Sequence, residues 1–283
     1  MNLSRKPEWL QKRISPSAHA DMERLLGDLQ LHTVCQEAHC PNISECFRQR
    51  QATFLILGTI CTRLCAFCNV TKKEPLPLDT AEPGRVAQAI SRLGLSHVVV
   101  TSPTRDDLGD GGAGLYAATV TAIRSATPLT KVELLIPDFQ GNGENIATVI
   151  AARPDILGHN LETVPRLYHI RSGADYFRSL GVLSTAREID SSLKTKSGIM
   201  LGLGETEEEV FRVLADLVEA GCSYVSMGQY LAPSRNHYPI QAYVQPEVFD
   251  RYRGKALDMG FEHVESGPYV RSSYHAEQYG VSG

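Results

Sequence analysis

Between Phe54 and Val70 the chain reads FLILGTICTRLCAFCNV, and no other stretch restricts its fold so tightly. Phe54 to Leu57 is an apolar run closed by Gly58, the pattern of a buried strand. Directly after it, Cys61, Cys65 and Cys68 follow a C-x3-C-x2-C spacing on a tight loop. Three thiolates on so short a loop can converge on one soft metal centre. Structural zinc usually takes four protein ligands, and no fourth Cys or His lies within the loop. A [4Fe–4S] cube held by three cysteines instead leaves one iron open to a ligand that is not protein. The competing readings are a zinc loop completed by a distant ligand, and plain core cysteines. Inert buried cysteines need no such spacing.

A second trio precedes the first. Cys35, Cys40 and Cys46 follow a C-x4-C-x5-C spacing in TVCQEAHCPNISECF, where Pro41 and Asn42 interrupt the segment and predict a loop or irregular turn. Two soft-ligand triads imply two clusters. Each trio is compact enough to serve one cube, and mixing them would cross the strand at Phe54 to Leu57. His32 and His39 are nearby candidate ligands, although a lone His is more often a surface group.

Composition narrows the class further. The 283 residues are 42% hydrophobic and 21% charged, which fits one soluble globular domain with a sizeable core. A net charge of −4 offers no basic field for nucleic acid. No run of about 18 apolar residues predicts a membrane span. The segment MNLSRKPEWLQKR lacks the apolar h-region of a secretory signal. Seven cysteines in such a chain predict a reducing cytoplasm and metal-bound thiolates, with Cys222 as a small core residue. Arg5, Lys6, Lys12 and Arg13 read as a solvated face, or as a contact for an acidic partner. A short helix is expected at Met22, Leu25, Leu26 and Leu29.

Beyond the central loop, strand-like segments recur at 97–102, 131–137, 155–160, 197–203, 223–230 and 261–266. Helical patterns fall at about 84–93, 114–126, 143–152, 163–180 and 206–220, the last opened by Thr206 and Glu209 as a capping box. About six β/α units indicate a parallel sheet. Parallel α/β barrels place their sites at the carboxyl ends of strands. Polar and Gly-rich residues gather there: Asp110, Gly111 and Gly112; Asn160, Glu162 and Arg166; Gly202, Gly204 and Glu205, preceded by Lys194 and Lys196; and Gln229, Ser234, Arg235 and His237. No Walker loop or GxGxxG occurs.

The C-x3-C-x2-C loop after a first strand, with Phe67 before the last cysteine, resembles the signature of the radical S-adenosylmethionine (SAM) superfamily. That resemblance implies a partial (β/α)6 TIM-like barrel, and an open iron chelated by the amine and carboxylate of SAM. The cluster's electron then cleaves SAM to methionine and a 5′-deoxyadenosyl radical. Asp110, Gly111 and Gly112 resemble the Gly-Gly-Glu element that binds the SAM amine, with Ala113 standing where the acid belongs.

The joint pattern is narrower. Both triads, with RDDLGDGGA, HNLETVPRLY, KSGIMLGLGET, GQYLAPSRNHYPI and a terminal RSSYHAE, resemble the lipoyl synthase family over nearly the whole chain from Lys6 onward. This implies insertion of two sulfur atoms at C6 and C8 of a protein-bound octanoyl-lysine. Two deoxyadenosyl radicals remove the hydrogens, and an auxiliary cube is consumed as the sulfur donor. By this resemblance Cys61, Cys65 and Cys68 hold the SAM-cleaving cluster. Cys35, Cys40 and Cys46 hold the auxiliary one, with Ser273, chosen over Ser272, as the fourth ligand. Asp110, Gly111, Gly112, Asn160, Glu162, Lys196, Gly202 and Glu205 are the expected SAM contacts.

The implied division is an N-terminal extension over 1–52, a barrel over 53–260 and a C-terminal extension over 261–283. The implied partners are octanoylated carrier domains of 2-oxoacid dehydrogenases or of the glycine-cleavage system, an electron donor such as flavodoxin or ferredoxin, and cluster-assembly proteins. Rival readings are a methylthiotransferase, a biotin-synthase-like enzyme, or a zinc-stabilised binding module. A methylthiotransferase normally appends an RNA-binding domain, and a biotin synthase lacks the N-terminal triad.

Overall fold

Strands flanked by helices are buried on both faces. In the computed structural model, which describes residues 6–12 and 20–279, Val98, Val99 and Val100 are all buried. Arg5 and Arg13 of the basic N-terminal cluster lie outside the described residues. The chain divides into two units. Of the described residues, 20–63 and 69–157 make the first, and 6–12, 64–68 and 158–279 the second.

The first unit starts with helix α1 (Ala20–Asp28), strand β1 (His32–Thr33) and two short helices, α2 (Val34–Glu37) and α3 (Ile43–Arg48). Strand β2 (Thr53–Leu55) pairs antiparallel with β1 and parallel with β3 (His97–Thr101), which pairs parallel with β4 (Lys131–Leu135). Helices α4 (Glu82–Leu93), α5 (Ala113–Ala126) and α6 (Gly143–Ala151) complete it, α4 packing on α5 and α5 on α6. Strand β5 (Ile156–Gly158) ends at the boundary of the units.

The second unit holds helix α7 (Tyr176–Ile189), strand β6 (Lys194–Leu201), helix α8 (Glu207–Glu219), strand β7 (Tyr224–Gln229), helix α9 (Pro246–Met259) and strand β8 (His263–Gly267). Strands β6, β7 and β8 are parallel neighbours. Val210, Val213, Leu214 and Leu217 of α8 are fully buried, and their i, i+3, i+4, i+7 spacing puts them on one stripe. They pack in a core cluster with Leu201, Val225 and Met227. Each such side chain contributes roughly 1.5–3 kcal/mol on burial. Thr206 and Glu209 form the expected capping box.

Three segments depart from expectation. The Cys35–Cys46 stretch is helical on both sides of its break, because Thr33 caps α2 by accepting from the Gln36 amide. The pattern over 163–180 is a 3-10 turn, Pro165–Ile170, followed by α7 with Asp175 as its cap. Helix α9 went unread, its Pro246 standing at the first turn where proline is tolerated.

Candidate functional site

In the first unit, the end of β2 and the residues after it are held by main-chain bonds. The Cys61 amide donates to the Thr71 carbonyl at 2.9 Å, and the Thr62 amide and hydroxyl both donate to the Thr104 carbonyl at 3.0 Å. Arg63 then turns inward. Its guanidinium grips Asp106 at 2.7 and 2.9 Å and Asp138 at 2.7 and 3.0 Å. Burial works against its charge, but the bonds to Asp106 and Asp138 prevail and hold its pKa above the ordinary value. The Arg63 amide donates to Cys61 Sγ at 3.4 Å. Such N–H···S bonds orient a cluster thiolate and tune its potential. Arg105 donates to the Leu57 carbonyl at 2.9 Å, where the chain leaves β2 in a left-handed conformation (Leu57 φ 67°). The sequence reading passed over Arg63 and Asp138, although Arg63 stands inside the cysteine motif.

Cys35, Cys40 and Cys46 sit on α2, its exit and α3. The Cys40 amide donates to the Cys35 carbonyl at 2.9 Å, and the Cys46 amide to the Asn42 carbonyl at 3.0 Å. Burial and the neighbouring Cys40 push the Cys35 thiol up to about 11. A buried thiol whose ionised form is disfavoured by burial and by a neighbouring cysteine is a place where a bound cation relieves the cost. His32 and His39 are exposed. Asn69, just past Cys68, donates to the Glu37 carbonyl at 2.7 Å, tying the chain after the loop to α2.

Asp110 acts on its own loop. Its carboxylate accepts from the Gly112 amide at 2.8 Å and the Gly114 amide at 2.9 Å, capping the start of α5. Gly112 has φ 90°, and a Cβ there would come within 2.4 Å of Leu57. Gly111 borders a cavity of about 380 Å³ that Asp106, Gln140, Asn142 and Asn145 also line.

In the second unit, Ala66 is pinned from both sides. Its amide donates to the Ile170 carbonyl and its carbonyl accepts from the Tyr238 amide, each at 2.8 Å. Cys65 and Cys68, half-buried, flank it, and Phe67 packs against the core. The Tyr230 hydroxyl is pushed up to about 12 by burial and by nearby Cys68. Asn160 and Glu162 meet: the Asn160 amide donates to the Glu162 carboxylate at 3.1 Å. Burial raises the Glu162 pKa against the pull of Arg171 and of that bond. Ser272 Oγ donates to Asn160 Oδ1 at 3.1 Å, so it is Ser272 that the fold joins to Asn160. The Glu205 carboxylate accepts from the Gly202 and Leu203 amides at 2.6 and 2.9 Å and shapes that turn. Lys196 is 1% exposed, its Nζ 3.6 Å from the centre of the Tyr279 ring.

None of the seven cysteines, all among the described residues, is joined in a disulfide. Among the described residues no three His, Cys, Asp or Glu side chains gather as a single metal ion requires. A cube asks for a different spacing, since each thiolate binds a different iron. With three soft donors per trio, and an N–H already aimed at Cys61, the residues fit cubane clusters.

Residues 55–217 match the profile of the radical SAM superfamily. The lipoyl synthase of Geotalea uraniireducens (strain Rf4) is 75% identical over 283 residues, covering 100% of both chains. That of Geotalea daltonii is 74% identical, covering 99% of this chain and 96% of the relative. Among solved structures, methylornithine synthase (PylB) superposes with a TM-score of 0.56 at 14% identity, covering 90% of this chain and 80% of that one, a likeness of fold.

Proposed function

The chain belongs to the lipoyl synthase family of radical SAM enzymes, and from that premise we propose how its own residues divide the work. The enzyme is a sulfurtransferase with the superfamily's partial (β/α)6 barrel. It inserts two sulfur atoms at C6 and C8 of an octanoyl chain borne by a lysine of a lipoyl carrier domain. When bound, SAM and one [4Fe–4S] cluster supply the hydrogen-abstracting radical, and a second [4Fe–4S] cluster supplies the sulfur.

Cys61, Cys65 and Cys68 hold the radical-generating cluster. Arg63, locked by two carboxylates, keeps the start of their loop from shifting and directs its amide at Cys61. Cys35, Cys40 and Cys46 hold the sulfur-donating cluster, with Ser273 as its fourth ligand. Serine oxygen is a harder donor than thiolate, so this attachment is the weakest of the four and the first to open. Asp110, Gly111, Gly112, Asn160, Glu162, Gly202 and Glu205 border SAM. Asp110 and Glu205 act by shaping their glycine turns, which leaves main-chain groups to face the ligand. Lys196, buried under the Tyr279 ring, leaves that set.

Along the chain, residues 1–52 serve as the extension carrying the auxiliary ligands, 53–260 as the barrel and 261–283 as the extension bearing RSSY. The carrier domains are those of 2-oxoacid dehydrogenase subunits or the glycine-cleavage carrier protein. Flavodoxin or ferredoxin supplies electrons, and cluster-assembly proteins load the cubes. No helix among the described residues is long and apolar enough to cross a membrane. Seven cysteines with no disulfide among them support a cytoplasmic setting.

The observation that carries this division is the pair of separate cysteine trios, each fixed by its own main-chain bonds. Anaerobic turnover on an octanoyl-lysine peptide, followed by mass spectrometry, tests it: two sulfurs are added, and the enzyme carries about eight irons per chain. Zinc without charge-transfer absorption, and no sulfur in the peptide, would refute it.

A further inference from the structure

Strands β6, β7 and β8 are in register, so alternate residues form rows across one face. Lys196, Tyr224 and His263 make the first row, Gly198, Ser226 and Glu265 the second, and Met200, Gly228 and Gly267 the third. The segment after β8 meets these rows in reverse. Val270 lies at the third row, where a Cβ on Gly228 would fall 2.0 Å from its carbonyl oxygen. His275 reaches the second row, its Nδ1 3.9 Å from the Glu265 carboxylate. Tyr279 lies on the first, its ring centre 3.6 Å from Lys196 Nζ, 4.5 Å from the His263 ring and 5.3 Å from the Tyr224 ring. Between Val270 and His275, Ser272 bonds to Asn160, which itself crowds Gly198.

We propose that Lys196 and Gly228 are positioning residues: they seat residues 270–279 down this face and so hold Ser273 at a fixed height between two anchors. This rests on Ser273 being the fourth ligand of the sulfur-donating cluster. An ammonium removed from water and set against an aromatic face is held far more firmly than the same pair in solvent. Gly228 leaves the space that any side chain would take from the Val270 carbonyl. With both ends of the segment secured by protein contacts, the serine can leave an iron and return without the tail coming away. A ligand meant to be released then costs the structure nothing elsewhere.

Hydrogen exchange of residues 268–279 in the cluster-loaded enzyme tests the seat, together with Mössbauer spectra of the auxiliary cluster. In Lys196→Met, exchange over 275–279 rises by about tenfold or more and the signal of the serine-bound iron broadens. SAM cleavage continues, while sulfur inserted per SAM cleaved falls. Tyr279→Phe keeps the ring face and stays within about twofold of wild type, whereas Tyr279→Leu behaves as Lys196→Met. Should Lys196→Met fail to fold, Gly228→Ala loosens residues 268–272 by the same measure. Wild-type exchange in a folded Lys196→Met or Gly228→Ala overturns the proposal, as does a Lys196→Met enzyme that loses SAM cleavage with its tail still protected. Ser273→Ala separates the two readings: if its Mössbauer spectrum is unchanged while Lys196→Met still frees the tail, the seat stands and the ligand assignment falls.

Discussion

Arg63 and Asp138 meet at 2.7 Å in an ion pair whose carboxylate is wholly shut off from solvent and whose guanidinium is 8% exposed. They lie 75 residues apart in sequence, so the pair ties the start of the cysteine loop to the segment after β4. Replacing Asp138 by Asn leaves the buried guanidinium with Asp106 as its one carboxylate, a loss that approaches but stays below the about 3–5 kcal/mol of a buried charge left wholly unpaired. Asp138→Asn therefore unfolds at markedly lower urea concentration and loses the iron of the Cys61, Cys65 and Cys68 site before that of the other trio. Equal stability, with iron retained at both sites, would show that the clamp is dispensable.

Ser273→Cys exchanges the hard ligand for a thiolate, which binds iron more firmly. The variant keeps its full iron and sulfide content, and it cleaves SAM, but sulfur insertion falls. Full activity in that variant would remove Ser273 from the mechanism.

Cys222 is the one thiol outside both trios, and burial pushes it up to about 12 from an ordinary 9.0. In the native enzyme at neutral pH it should resist iodoacetamide. The raised value also sets a sign for stability. Below pH 9.0 both states are protonated and the thiol's contribution is complete; as pH climbs towards 12 the unfolded chain alone loses the proton, and that contribution is lost. Cys222→Ala is thus less stable than wild type at about pH 8, and the gap narrows by about pH 11, read as urea midpoints. A gap that widens with pH contradicts the burial account.

Local signals carried much of this reading. The cysteine spacings, the apolar strands and the Thr206–Glu209 capping box are each written within a few residues, and the structure shows the capping box and strands where those signals lie. Contacts between distant segments were not legible. Nothing beside Arg63 announces Asp138, and nothing beside Lys196 announces Tyr279, since both depend on which segments the fold brings together. Lys196, which the family resemblance implied as a SAM contact, lies in the first row of β6, buried under an aromatic ring. The carboxylates of Asp110 and Glu205 are taken up by amides of their own turns, contacts that their neighbours in sequence do not announce. Helix α9 was hidden because its pattern begins with a proline and carries few apolar residues, of which Phe249, Tyr252 and Ala256 are buried.

The most direct measurement follows the sulfur itself. Load the enzyme anaerobically with clusters carrying heavy sulfide at both cysteine trios, and run one turnover on an octanoyl-lysine peptide in unlabelled buffer. The lipoyl product carries both heavy atoms, and Cys35→Ala abolishes its formation while leaving SAM cleavage in place. A product formed with unlabelled sulfur would contradict the account at its centre.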